Sequence, residues 1–136
     1  MKRFCFILLF LSCAIFSFSQ KIMIMGGEDH DEFLGYLNTS PYDSKSIWNE
    51  FGTYGSEYSS NSIWNEFGTY GSEYSSYCPW NEYSSDVPIL IDANGNYYGK
   101  FNSSNQNAVV RRICKLASAI ISGKLELDEA YEMLFE

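Results

Sequence analysis

At 136 residues the chain has room for one domain. Its formal charge of -8 excludes the clustered Lys and Arg that phosphate neutralisation needs, which argues against nucleic acid and against an anionic membrane surface. The hydrophobic share of 46% suffices for a small core, and much of it is aromatic: 11 Tyr, 10 Phe and 3 Trp.

Residues 1–19 read as a secretory signal peptide. Lys2-Arg3 is the basic start, Phe4 to Phe16 is an apolar run too short to span a bilayer comfortably, and Ser17-Phe18-Ser19 offers small residues for cleavage before Gln20. A lipoprotein signal at Cys13 fits less well, because Ala14-Ile15-Phe16 stays apolar beyond it. The expectation is a secreted or periplasmic protein with no stable membrane insertion after cleavage. Loss of Lys2 and Arg3 takes the charge from -8 to -10. Cys5 and Cys13 leave as well, so Cys78 and Cys114 remain as a possible disulfide or as two buried apolar side chains.

Residues 20–32 read as an acidic, flexible leader. Glu28-Asp29-His30-Asp31-Glu32 could attract a cation, but a solvated terminal segment explains it without one. Residues 33–136 are expected to be the folded domain.

Phe33-Leu34-Gly35-Tyr36-Leu37-Asn38-Thr39-Ser40 matches a later stretch, Tyr97-Tyr98-Gly99-Lys100-Phe101-Asn102-Ser103-Ser104. Alternating bulky residues around the glycine predict a strand in each copy. Between them lies a tandem repeat, residues 46–85. Ser46 to Ser60 recurs without substitution as Ser62 to Ser76, a period of 16, and a truncated copy follows from Cys78 to Ser85. Each unit reads as a turn plus an extended piece, too small to bury its own face, so neighbouring units should stack. Removal of one whole unit is then expected to restore the same junctions and leave the fold standing.

Val87-Pro88-Ile89-Leu90-Ile91 and the turn Asp92-Ala93-Asn94-Gly95-Asn96 predict a hairpin over residues 87–102, with the Phe33 copy as a third strand. Residues 104–136 predict two helices. The first starts near Ser104-Asn105, presents Val109, Val110, Ile113, Leu116, Ala117, Ile120 and Ile121 on one face, and ends at Gly123. The second starts near Asp128 and is acidic, so the pair suggests a helical hairpin with complementary flanks. The fold class is α+β: a small single domain of short tandem repeats, a β-hairpin or three-stranded sheet and a C-terminal helical hairpin.

The pattern Ser46-Ile47-x-Asn49, Gly52-x-Tyr54-Gly55-Ser56-x-Tyr58-Ser59 and its repeat, followed by Pro88 to Gly99, resembles a group of uncharacterised exported bacterial proteins. They carry tandem S-I-x-N-x-(Y/F)-G-x-Y-G-S-x-Y-S units ahead of a P-x-(I/L)-x-D-x-x-G-x-(Y/F)-x-G hairpin. The resemblance covers residues 33–102 and implies export and architecture, without an activity. Members often hold Cys where this chain has Tyr36 and Thr39, so no disulfide or metal role carries over to that pair.

Catalysis is disfavoured. His30 is the one histidine, and the repeated carboxylates Glu50, Glu57, Glu66 and Glu73 lack the single asymmetric constellation that hydrolysis needs. No catalytic, cofactor-binding or metal residue is assigned. The favoured reading is a non-catalytic interaction or structural module whose partner is another exported protein or a cell-surface glycan. Trp48 and Trp80, at the ends of the block, and Tyr54, Tyr58, Tyr70 and Tyr74 are its candidate contacts. Trp64, flanked on both sides, is expected in the core, and regular tryptophans can equally be the glue between units.

Overall fold

Two short apolar runs, Ile22 to Met25 and Pro88 to Ile91, each lead through a turn into an aromatic-x-Gly segment, and each becomes a hairpin. The computed structural model describes residues 20–136; the expected signal peptide lies outside the described residues. Strands β1 (Met23–Gly26), β2 (Glu32–Tyr36), β3 (Ile89–Ile91) and β4 (Tyr97–Lys100) form one antiparallel sheet in the order β2-β1-β3-β4. The helices α1 (Ala108–Ile121) and α2 (Leu127–Phe135) complete an α+β domain.

The sheet is built from two equivalent hairpins. In β2 three steps from Phe33 to Tyr36 oppose two from Met25 to Met23, and in β4 the span from Tyr97 to Lys100 opposes Ile91 to Ile89 in the same way. Each extra residue is absorbed at a left-handed glycine, Gly35 with φ 107° and Gly99 with φ 96°, as a β-bulge requires. The N–H of Leu37 donates to Ile22 O and that of Phe101 to Pro88 O, both at 2.8 Å. β1 and β3 pair as Met23 with Ile91, Ile24 with Leu90 and Met25 with Ile89, which relates the hairpins by a local two-fold between Ile24 and Leu90.

Two expectations are corrected here. Residues 20–32 are no flexible leader, because they supply the inner strand β1; Ile24 on it and Ile22 just before it are fully buried. The Phe33 copy pairs with β1 rather than with the later hairpin, so the sheet has four strands, not three. The physical reason is the free edge of β3: an unpaired row of backbone groups over a buried Leu90 is satisfied by the nearest β-rich run, and that run precedes Phe33. Asn38 fastens it by accepting from Ile22 N at 2.9 Å and donating to Gln20 O at 2.7 Å.

The repeat block contains turns throughout and no extended piece, which corrects the expected turn-plus-strand unit. Backbone N–H groups reach back three residues from Asn49 to Ser46, Gly52 to Asn49, Ser59 to Ser56 and Ser62 to Ser59, while Ser56 reaches back four to Gly52. Five turns, one of them longer by a residue, make the period of 16. The cause is local. Ser46 Oγ, Asn49 Oδ1 and Ser56 Oγ accept the N–H two residues ahead, from Trp48, Phe51 and Tyr58, at 3.0, 3.0 and 3.2 Å, and so compete with any strand ladder.

Stacking between units is carried by tryptophan. Trp64 Nε1 donates to Ile47 O at 2.7 Å and Trp80 Nε1 to Ile63 O at 3.1 Å, while Trp48 Nε1 donates to Leu37 O at 2.7 Å. The rings of Trp48 and Trp64 lie 5.6 Å apart, those of Trp64 and Trp80 5.5 Å apart. Phe101 closes one end, edge-on to Trp80 at 5.4 Å, and Tyr131 and Phe135 close the other against Trp48.

The helices lie along this stack and match its three layers. Cys114 and Ala117 stand beside the Trp80 layer, Ile120 beside Trp64, and Leu127 and Tyr131 beside Trp48. α1 is capped by Asn107, whose Oδ1 accepts from Val109 and Val110, two residues later than Asn105. Asn105 is used elsewhere, donating to Tyr98 O and Lys100 O. The α1 and α2 flanks do not pair by charge: among the described residues the ion pair is Lys21–Asp43 at 3.9 Å, and Arg112 donates to Met133 O instead.

Two predictions follow from this packing. A Cβ on Gly71 would stand 2.0 Å from Asn65 O, so Gly71→Ala forces the turn apart and should lower stability by about 1–3 kcal/mol in thermal unfolding, with the exposed Thr69→Ala beside it unchanged. Deleting residues 46–61 leaves a two-layer stack between caps spaced for three. A large fall in the melting midpoint is expected, in place of the modest one that free stacking implies.

Candidate binding face

In the repeat units the residue preceding an aromatic separates the Ile-Trp turns from the Glu-aromatic turns. Ile47-Trp48 and Ile63-Trp64 are wholly apolar pairs and face inward, where all four residues are buried. Glu50-Phe51, Glu57-Tyr58, Glu66-Phe67, Glu73-Tyr74 and Glu82-Tyr83 join an aromatic to a carboxylate that burial would penalise, and each of these turns stays outside.

Two columns of exposed rings result. Phe51, Phe67 and Tyr83 are 90, 89 and 97% exposed, and Tyr42, Tyr58 and Tyr74 are 95, 85 and 87% exposed. Within each column the rings are spaced by the 16-residue period, so each layer of the stack repeats the same arrangement. Scattered apolar residues on a surface are ordinary, whereas these rings are aligned and nearly fully exposed, which makes the face a candidate interaction site.

Between the columns and the helices lie three clefts, of about 670, 530 and 660 Å³. Glu66, Phe67, Gly71, Ser72, Glu73, Tyr74 and Trp80 line the first against Ala117 and Ile121 of α1. Their counterparts one unit earlier, Glu50, Phe51, Gly55, Ser56, Glu57, Tyr58 and Trp64, line the second against Ile120 and Leu125. The third holds Tyr42, Trp48, Glu50 and Phe51 against Leu127 and Tyr131. Every charged residue lining the three clefts is acidic. At Tyr58 the hydrogen bond with the Glu57 carboxylate, then its charge, raises the phenol above its ordinary value.

The structure divides the sequence-predicted contacts. Tyr58 and Tyr74 stand on the exposed columns. Trp48 is 1% exposed and therefore core, a correction caused by Tyr131 and Phe135 of α2 covering what looked like the free end of the block. Trp80 is half-buried and lines the first cleft. Tyr54 and Tyr70 turn toward the sheet: Tyr54 packs edge-on to Phe33 at 4.9 Å, and Tyr70 closes over Gly26 and Gly27. Burial, then Glu32 and Asp31, raises the Tyr70 phenol. Tyr42, Phe51, Phe67 and Tyr83 were not singled out by sequence reasoning, although the Glu preceding three of them was a usable signal.

Cys78 occupies the place of Ser46 and Ser62 in the repeat and does their work, its Sγ accepting from Trp80 N at 3.3 Å. It and Cys114 are free thiols. Burial pushes both up to about 12, and the nearby Cys78 adds to the shift at Cys114. The Asp92 carboxylate is engaged within its own turn. It accepts from the Asn96 side chain, from Tyr98 OH at 2.7 Å and from the backbone of Asn94 and Asn96, which holds it below the usual carboxylate range. His30 Nε2 lies 3.1 Å from Val87 O, tying the β1–β2 turn to the start of β3. Among the described residues no group of three or more His, Cys, Asp or Glu is placed to hold a metal ion, and no helix is long and apolar enough to cross a membrane. Compared with known proteins, the chain matches no family model, no curated protein and no solved structure.

Proposed function

We propose that this protein is an exported, non-catalytic binding module that holds an extended partner along its two aromatic columns. The observation that carries the reading is the exposure, in register, of Tyr42, Tyr58 and Tyr74 beside Phe51, Phe67 and Tyr83. These rings stand outside the tryptophan stack, yet the stack sets the backbone positions that carry them in line. A ladder on a folded scaffold binds with less ordering cost than a mobile segment, because the backbone is placed before the partner arrives. Ring faces at a fixed interval suit a cell-surface glycan. A docked exported protein is the second reading, favoured by the apolar area the rings offer.

The test separates binding from folding. Phe51→Ala, Phe67→Ala and Tyr83→Ala together should leave the thermal midpoint unchanged and abolish retention on insoluble polysaccharide or on partners captured from an exported-protein extract. Trp48→Ala, by contrast, should cost about 3–5 kcal/mol. Full retention both by the triple variant and by Tyr42→Ala with Tyr58→Ala and Tyr74→Ala would remove the columns from the binding face.

Export carries its own expectations. Intact-mass analysis of the exported protein should show a chain starting at Gln20. In an oxidising compartment Cys78 and Cys114 are proposed to close a staple between the repeat block and α1. In the folded chain burial disfavours both thiolates, and the thiolate is the attacking species. Non-reducing peptide mapping should find one linked peptide, and folded, reduced protein should resist alkylation until denatured.

A further inference from the structure

The clefts and columns repeat by translation, and their charge has one sign. The first cleft carries Glu66, Glu73 and Glu82, the second Glu50, Glu57 and Glu126, and the third Glu50, Asp128, Glu132 and Glu136. The two arginines of α1 are turned to other uses: Arg111 donates to Asn105 O and Gln106 O, and Arg112 to Met133 O, while Lys115 and Lys124 line none of the three clefts. A partner lying along this face meets exposed ring faces and carboxylates in alternation.

Resting on the binding face proposed above, we infer that the occupant is a linear polymer of amino sugars that carries free, protonated amino groups. Three constraints select it. A face that repeats layer by layer is matched by a ligand that repeats unit by unit, which an ordinary polypeptide surface does not. Flat, nearly fully exposed rings offer stacking to the apolar face of a pyranose, and an ammonium beside a ring gains from its quadrupole. The carboxylates then decide among polysaccharides: an acidic polymer is repelled, a neutral one leaves them without partners, and a polyamine pairs with one in each layer.

The experiment compares three soluble probes by titration calorimetry against the mature chain: a β-linked glucosamine oligomer with free amines, its fully N-acetylated counterpart of equal length, and poly-lysine. The free-amine oligomer should bind, and the acetylated one should bind at least about tenfold more weakly, a factor that a few exposed ion pairs supply. Added salt should erase that difference. Glu66→Gln with Glu73→Gln and Glu82→Gln should narrow the preference while leaving binding of the acetylated oligomer unchanged, whereas Phe67→Ala with Tyr74→Ala should weaken binding of both sugars alike; each variant's thermal midpoint is checked against the parent. Equal binding of the two oligomers would overturn the charge selection and leave the aromatic face standing. Poly-lysine binding as tight as the amine oligomer, with the same losses in both variants, would make the occupant a basic polypeptide. Binding of none of the probes would overturn the amino-sugar assignment. The retention assay with the Phe51, Phe67 and Tyr83 variant then decides independently whether the columns bind anything else.

Discussion

The indole N–H of each tryptophan, donated to a carbonyl of the layer beneath, is the interaction on which the rest of this structure depends. A coil of turns satisfies its backbone within each turn and through Ser and Asn side chains, and so has no strand ladder to join one layer to the next. Trp64 to Ile47 O and Trp80 to Ile63 O supply that join, and the stacked rings add buried apolar area at the same place. With these bonds a unit of 16 residues, too short to fold alone, becomes one layer of a core.

The stack in turn fixes everything around it. Its ends are closed by residues from distant parts of the chain, Phe101 after β4 and Tyr131 and Phe135 on α2, so the number of layers is tied to the length of the helices beside them. Asparagine keeps each layer flat: Asn65 Nδ2 donates to Ser59 O and Asn81 Nδ2 to Ser75 O, six residues back in each case. Close approach of the Asn49 and Asn65 backbone, six residues earlier, leaves no room for a Cβ at Gly55 or Gly71. The outward rings inherit this regularity. Phe51, Phe67 and Tyr83 are aligned because Trp48, Trp64 and Trp80 are, and a surface that would be an aggregation hazard on a mobile loop becomes an ordered ladder flanked by carboxylates.

Sheet and stack divide the work of folding between them. The two bulged hairpins meet at Ile24 and Leu90 and present Leu34, Leu37 and Phe101 to the core, while Tyr54 and Tyr70 bring the repeat block against the sheet through Phe33 and Gly26. The partly buried tyrosines are thus packing residues, whereas their sequence neighbours Tyr58 and Tyr74, four positions on, are surface. Four positions along the coil separate packing from exposure.

The sequence by itself determined what is local or periodic. The 16-residue period, the later hairpin, the face of α1 and its end at Gly123, and the core position of Trp64 follow from spacing and turn chemistry, which act over a few residues. Tertiary structure decided what depends on distant partners. Residues 20–32 read as a leader because nothing nearby shows the edge of β3 that β1 completes, and Trp48 read as exposed because its cover, α2, lies about eighty residues further on. The choice between core and surface for Trp48, Trp80, Tyr54, Tyr58, Tyr70 and Tyr74 had the same origin. Residues of identical local chemistry face different neighbours once the stack meets the sheet on one side and the helices on the other, and burial is a property of those neighbours.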